Sequence, residues 1–281
     1  MKISIIIPTY NRPDALIRLL NRLKSLLEEG IELIVVDDSK DPLPKEYLAL
    51  WESQMTYVHR GEKLGVSSAR NEGSKISKGE YLIFLDDDDE VTESWLADFF
   101  SISKEDPDWV FCDMKVVINQ DEVSSISASK ENWKTVIPGA WMIKKKIFDE
   151  IGGYDDRLKF AENTELFFRL DRLSLKKKFV EKENFIYHQS LDGGSKNLQN
   201  MLDSIRLILE KHNEHLTTHV KHLYHQNVGV IEMRFGRFYQ ARKHLWNSLK
   251  YKPFKTSTWI RIALAYFPPL ARRIYTLDIR P

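Results

Sequence analysis

The chain has 281 residues, 42% of them hydrophobic and 30% charged, with a net charge of +1; this is globular composition, not that of a disordered or fibrous chain. Its one cysteine, Cys112, excludes an intrachain disulfide and predicts a reducing compartment. No apolar stretch reaches the roughly 18–20 residues that span a bilayer, and the opening run ISIIIP is too short for a signal peptide.

Along the chain, KISIII (2–7), ELIVVD (32–37), MTYVH (55–59), YLIFL (81–85) and WVFCDM (109–114) read as strands, being rich in Ile, Val and aromatics. Between the first two, NRPDALIRLLNRLKSLLEEG reads as a helix with Asn11 as N-cap, Pro13 early and Gly30 as C-cap. GVSSARNEGSKISKG and ESWLADFFSIS read as further helices. This alternation predicts an α/β, Rossmann-like, mainly parallel sheet with helices on both faces. Ligands of such sheets bind beyond the carboxyl ends of the strands. That rule selects Pro8–Arg12, Asp37 and Asp38, and the run Asp86–Asp89, which should meet on one edge.

Four adjacent aspartates repel one another, and ionised carboxylates do not enter an apolar core unpaired. A D-x-D spacing at a strand end suits a hard divalent cation, and a diphosphate is the natural partner of such a cation there. The bland alternative is a solvated acidic turn, but a turn does not predict three polar clusters converging on one edge.

Beyond about residue 195 only helical patterns remain. Residues 195–281 hold 15 Lys/Arg against 5 Asp/Glu, whereas residues 1–194 hold 27 against 36. A basic tail on an acidic body fits an anionic surface or, equally on charge alone, a solvated helical face. Within it, 223–253 resembles one tetratricopeptide helix pair, expected to pack on the main domain because a lone repeat cannot bury its own face. WIRIALAYFPPLARRIY (259–275) reads as an interfacial amphipathic segment or a docked terminal helix. His212, His215, His219, His222 and His225 fall along one face of a predicted helix; zinc is the minor reading, and the margin of a buried face beside Leu216, Val220 and Leu223 the preferred one.

Four stretches carry a resemblance: SIIIPTYNRPDAL, ELIVVDDS, LGVSSARNEGSKISKGEYLIFLDDDDEV and IFDEIGGYDDRLKFAENTELFFRL. Together they resemble the family 2 glycosyltransferases, inverting enzymes of the GT-A fold, over roughly residues 3–190. The resemblance implies a nucleotide-diphosphate sugar donor, a UDP-sugar above others, and Mn²⁺ or Mg²⁺. It implies that Pro8, Thr9 and Tyr10 line the base and ribose pocket, with Arg12 and Asp87 in the same nucleotide site. Asp38 would accept a hydrogen bond from a uracil-type base, Asp86 would approach the ribose, and Asp88 would bind the metal directly. Asp87 and Asp89 would lie outside the metal's direct ligands or in solvent. Arg70 and Asn71 would lie beside the nucleotide, and His188 near the diphosphate or metal. Structural alternatives stand beside these: a turn or capping role for Asp38, an ion pair for Arg70, a simple hydrogen bond for His188.

One position departs from the family. Where the motif E-D-x-E-L places its catalytic aspartate, FAENTELFFRL has Asn163, which cannot accept a proton at neutral pH. Glu162, at the helix entrance, becomes the candidate base, while Glu165 can pair with Arg169 at i+4.

The expected division is a nucleotide-sugar-binding catalytic domain over 1–195 and a helical region over 196–281. The expected activity is transfer from the NDP-sugar to a hydroxyl of a glycan or lipid-linked glycan in cell-surface polysaccharide synthesis. The expected location is cytoplasmic and peripheral at the inner face of the membrane, with an anionic membrane surface and not nucleic acid as the partner of the basic segment. Two rivals remain. A sugar nucleotidyltransferase should show an early Gly-rich phosphate loop, which PTYNRPDAL lacks; a degenerate nucleotide-sugar-binding module is motivated by Asn163.

Overall fold

The computed structural model describes residues 2–51, 54–118, 121–129, 133, 136–188 and 197–277. Packing separates two units, Met1–Asp156 with Glu162–Leu191 and Arg157–Ala161 with Asp192–Pro281. The boundary expected at 195/196 lies outside the described residues.

The first unit is built on one sheet of nine strands: β1 (Ile3–Thr9), β2 (Ile31–Asp37), β3 (Met55–His59), β4 (Tyr81–Phe84), β5 (Glu90–Val91), β6 (Trp109–Ile118), β7 (Asp121–Ile126), β8 (Trp141–Lys144) and β9 (Lys177–His188). Its order is β3-β2-β1-β4-β8-β6-β9-β5, with β7 paired to β6. β3, β2, β1 and β4 run parallel, while β8 lies antiparallel between β4 and β6. β1, β2 and β4 are buried almost throughout, which explains their unbroken apolar sequences: a strand covered on both faces needs no polar alternation. The five expected strands all form, and β6 runs on to Ile118. β5, β7, β8 and β9 had no distinct sequence signal.

The helices of this unit are α1 (Pro13–Lys24), α2 (Lys45–Leu48), α3 (Val66–Ile76), α4 (Trp95–Ser103), α5 (Lys145–Glu150) and α6 (Glu162–Leu170). α1 buries Leu16, Leu19, Leu20 and Leu23, which recur at helical spacing. Its ends differ from expectation. The N-cap is Arg12, without a side-chain cap. Asn11 is held left-handed at φ 54° and its backbone N–H donates to Ser39 Oγ at 2.7 Å. The helix stops at Ser25, and Gly30, at φ 90°, instead makes the turn into β2, its carbonyl accepting from Lys2 at 2.7 Å.

The second unit contains α7 (Leu198–His212), α8 (Thr218–Arg234), α9 (Phe238–Tyr251), α10 (Thr256–Tyr266) and α11 (Pro268–Ile274). The tetratricopeptide-like pair is α8–α9, turned by Gly236 at φ 70°. Its apolar face, expected to need the main domain, is covered within the unit: Met233, Leu245 and Leu249 cluster with Ile262 and Ala265 of α10 and Ala271 of α11. The segment 259–275 is two helices, not one, because Phe267-Pro268-Pro269 ends α10 and Pro268 starts α11. Nor do the five histidines share a helix. His212 ends α7, His215 lies in the following turn, and the other three are on α8. Buried His222 bonds Ser248, and His225 Nδ1 faces His244 Nδ1 at 3.1 Å, with burial lowering both imidazole pKa values, that of His244 to about 4. Among the described residues no helix is long and apolar enough to cross a membrane.

α8 and α9 approach closely because Gly229 has no side chain. A Cβ there would lie 2.7 Å from Leu245 Cγ and 3.3 Å from the Ala241 carbonyl. Gly229→Val should therefore cost about 1–3 kcal/mol through overpacking, read as a lower urea midpoint of the transition reporting this unit.

Candidate active site

Strand register gathers the polar clusters. Thr9 pairs with Asp37 and Asp37 with His59, so β1, β2 and β3 end level. Ile6 pairs with Phe84, and the Leu85 N–H donates to the Ile6 carbonyl, which brings the aspartate run to the same edge. Asp38 follows at once, its N–H bonded to the Thr9 carbonyl at 3.0 Å.

The run itself alternates. Asp86 and Asp88 are partly exposed, and Asp87 and Asp89 are buried. Neither buried member is the solvated carboxylate one could expect of an acidic turn. Asp87 accepts from Thr9 Oγ1 at 2.6 Å and from Arg12 Nη1 at 3.2 Å. Burial nevertheless raises its pKa to about 6, with Asp88 and Asp86 adding to the effect against Thr9 and Arg12. Burial also raises Asp89 well above the carboxylate range, with repulsion from Asp86 and Asp88 in support. Arg12 Nη1 also bonds Asp88 Oδ2, and Arg70 Nη2 bonds Asp86 Oδ1 at 2.6 Å. Each exposed aspartate thus faces one guanidinium.

Arg70 is the hub. Its side chain is 2% exposed, its Nη1 lies 3.5 Å from Glu162 Oε1, and its guanidinium sits over the Tyr154 ring at 5.2 Å. Burial opposes its charge, but Asp86, Tyr154 and Glu162 together hold its pKa above the ordinary arginine value. Next to it in sequence, Asn71 turns both amide groups onto the Tyr154 backbone, donating to the carbonyl and accepting from the N–H, each at 2.9 Å. Tyr154 is itself buried, which raises its pKa, and its hydroxyl donates to Asn163 Oδ1 at 2.8 Å. Glu165 is buried and held by Arg169 Nε at 3.0 Å, as the i+4 spacing implied; Arg169 also bonds the Ile151 and Gly153 carbonyls. Glu162 and Glu165 therefore have separate duties: one faces the aspartate run through Arg70, the other pins α6 to the loop before it.

Just after β2, Asp38 accepts from Arg60 Nε at 2.6 Å and from the backbone N–H groups of Leu64 and Gly65 at 2.9 and 2.8 Å. Both of its oxygens are thus engaged by the loop leading to α3. Tyr10 is exposed on the edge with Lys63 of that loop 4.5 Å over its ring, while Pro8 and Thr9 are buried. His188, at the end of β9, has Nε2 3.0 Å from Glu90 Oε2. Among the described residues no group of three or more His, Cys, Asp or Glu converges as a metal site. Asp86 and Asp88 are hard oxygen donors of the right chemistry, so a cation here would need further oxygens from its ligand. Arg60, Lys63 and Tyr154 join the site without standing among the residues the sequence motifs select. Arg60 follows β3, so the strand-end rule could have found it; Tyr154 sat in GGYDD without a signal of its own.

A mostly parallel sheet with an acidic cluster at its carboxyl edge and mixed strands beyond β4 is the GT-A arrangement. A solved structure, TarS 1–349 of S. aureus in complex with UDP-GlcNAc, superposes with a TM-score of 0.67 at 17% identity, over 98% of this chain and 92% of that one. The chain belongs to the family described as glycosyl transferase family 2, which matches residues 4–182. A relative in Escherichia coli (strain K12), "Putative colanic acid biosynthesis glycosyl transferase WcaA", is 30% identical over 191 residues, 60% of this chain and 65% of that protein. A poly(ribitol-phosphate) beta-glucosyltransferase of Bacillus spizizenii (strain ATCC 23059 / NRRL B-14472 / W23) is 34% identical over 111 residues, 37% of this chain and 18% of that one. The chain therefore spans less than two thirds of these relatives' lengths.

Two outcomes follow from the site's electrostatics. Asp87 has its pKa raised on folding, from 3.8 to about 6. The unfolded chain therefore loses this proton first, so the carboxylate's penalty grows as pH rises from about 4 to about 6 and is constant above. In EDTA, the unfolding free energy of wild type relative to Asp87→Asn should fall by about 2 kcal/mol between pH ~4.5 and ~7.5, measured by urea titration. Asp38→Ala should leave buried Arg60 unpaired and cost about 3–5 kcal/mol in the same assay; an unchanged midpoint would mean the loop does not depend on this pair.

Proposed function

We propose that the chain transfers a sugar from a UDP-sugar to a hydroxyl of a glycan or lipid-linked glycan of a cell-surface polymer, with inversion at the anomeric carbon. The reading rests on the family, on the UDP-GlcNAc named for TarS, and on the colanic acid and poly(ribitol-phosphate) named for the relatives. The observation that carries it is the Arg70 bridge, which joins Asp86 of the strand-end run to Glu162 at the start of α6. One buried cation thereby fixes a donor-side carboxylate and a candidate base in a single frame.

In this mechanism the acceptor oxygen attacks the anomeric carbon, the bond to the β-phosphate oxygen breaks, and that bond's electron pair leaves with UDP. Glu162 takes the proton of the acceptor hydroxyl, because Asn163 cannot and Glu165 is committed to Arg169. Arg70 orients Glu162 and supplies positive charge beside Asp86. Tyr154 holds Asn163 in place and thereby the first turn of α6. Thr9, Arg12 and Tyr10 form the nucleotide edge. Mn²⁺ or Mg²⁺ held by Asp88 would neutralise charge on the departing diphosphate. His188 would join it only on releasing Glu90. The amide at 163 also motivates a second reading, a module that binds the nucleotide-sugar without transferring it.

Glu162→Gln should lower turnover by about 10²-fold or more with UDP affinity nearly unchanged, and Asn163→Ala should do much less. Wild-type turnover in the Glu162 variant on a verified acceptor would remove Glu162 as the base. Absence of transfer by wild type, with UDP-sugar binding intact, would favour the second reading. Separately, calorimetry should show that UDP binds more tightly with Mn²⁺ than with EDTA, and that Asp88→Ala removes most of that difference.

A further inference from the structure

We propose that α10 and α11 form an interfacial surface that seats on an anionic lipid bilayer. This rests on the second unit alone and is independent of the donor chemistry. α10 is apolar on two opposite sides. Thr258, Ile262 and Ala265 face the core of the helical unit, while Trp259, Ile260, Tyr266 and Phe267 are exposed. At 100° per residue Trp259, Ile260, Ala263 and Tyr266 occupy one arc of about 120° on α10, which Thr256 also enters, and Phe267 follows as its C-cap. The row continues on α11 with Leu270 and Ile274, exposed at i+3 and i+7 from Phe267. Ser257 and Arg261 lie on one side between the two arcs, but a surface helix normally turns its apolar residues inward and not to a second, outer arc. Here, among the described residues, the outer arc is left to solvent, with Ile260, Tyr266 and Phe267 each about 60% exposed. Trp246 of α9 adds a second exposed indole, edge-on to Trp259 at 5.5 Å. Before α10, Phe254 stands 94% exposed beside exposed Lys255.

The charge around this face names its partner. Residues 233–277 hold ten Lys/Arg and no Asp or Glu. Lys255, Arg272 and Arg273 are exposed on the same segments. A second copy meeting through the same face would bring like charges together. An anionic polymer would engage the bases but leaves Ile260, Leu270 and Ile274 without an apolar partner. An anionic bilayer satisfies both: headgroups for the bases, the acyl boundary for the apolar row, and the interfacial zone for Trp and Tyr.

The test is flotation of the full chain with phosphatidylcholine vesicles, with and without about one third phosphatidylglycerol. Binding should be at least tenfold stronger to the anionic vesicles at low salt and should weaken as salt rises. Ile260→Ser with Phe267→Ser should lose about tenfold or more of it, with circular dichroism and UDP affinity unchanged. In wild type, brominated lipid should quench tryptophan fluorescence, reporting Trp246 and Trp259. Failure of wild type to float with anionic vesicles at low salt overturns the proposal. Serine variants that bind like wild type, with heparin competing binding away, would make the face a polyanion site instead. Light scattering that shows a dimer lost in the serine variants, with no vesicle binding, would make it a self-association surface.

Discussion

Burying a guanidinium costs several kcal/mol unless carboxylates and hydrogen bonds replace the lost water, and at Arg70 both are present. Asp86 and Glu162 meet it from two elements, and Tyr154 covers its face. Arg70 and Glu162 are 92 positions apart in the chain, yet the arrangement of α3, the end of β4 and the start of α6 depends on them meeting. Asn71 extends the same device by one residue, fixing the Tyr154 backbone and through Tyr154 the side chain of Asn163. Gly153 is needed there as well, at φ 68°, because a Cβ would come within 2.5 Å of Asn71 Oδ1.

The aspartate run is tolerable because its members are divided between environments. Two are partly exposed and face guanidinium groups, and burial raises the carboxyl pKa of the other two, so ionisation of the buried pair is disfavoured. Such a cluster is electrostatically unfinished: Asp89 Oδ2 is buried with no hydrogen-bond partner. Under the proposed reading, the aspartate run faced by Arg12 and Arg70 would meet a diphosphate that brings its own cation, since diphosphate and carboxylates would otherwise repel.

The helical unit obeys different physics. Its core is small and shared among α8, α9, α10 and α11, with Gly229 allowing α8 and α9 to touch. Because α10 and α11 are short and flank that core, each has more apolar side chain than the core can cover. The excess appears outside, among bases.

Much was legible in the sequence for a simple reason: strands covered on both faces must be continuous apolar runs, and β1, β2 and β4 are. Polar residues just after such runs must lie at one edge of a parallel sheet, so Thr9, Asp38 and Asp86–Asp89 could be grouped without coordinates. The Glu165–Arg169 pair was legible too, because i+4 neighbours meet on any helix. Periodicity could not say that Asp38 is occupied by Arg60 and the loop amides, that Asn71 clamps Tyr154, or that β8 inserts antiparallel beside β4. Nor could it show that the histidines split between helices, since a turn of a few polar residues at 213–217 hardly disturbs the pattern. Local pattern dictates what a segment becomes and which face it hides. Which distant side chain answers a buried charge is decided by register and packing across the whole sheet, and for Arg70 only the tertiary structure supplied Glu162.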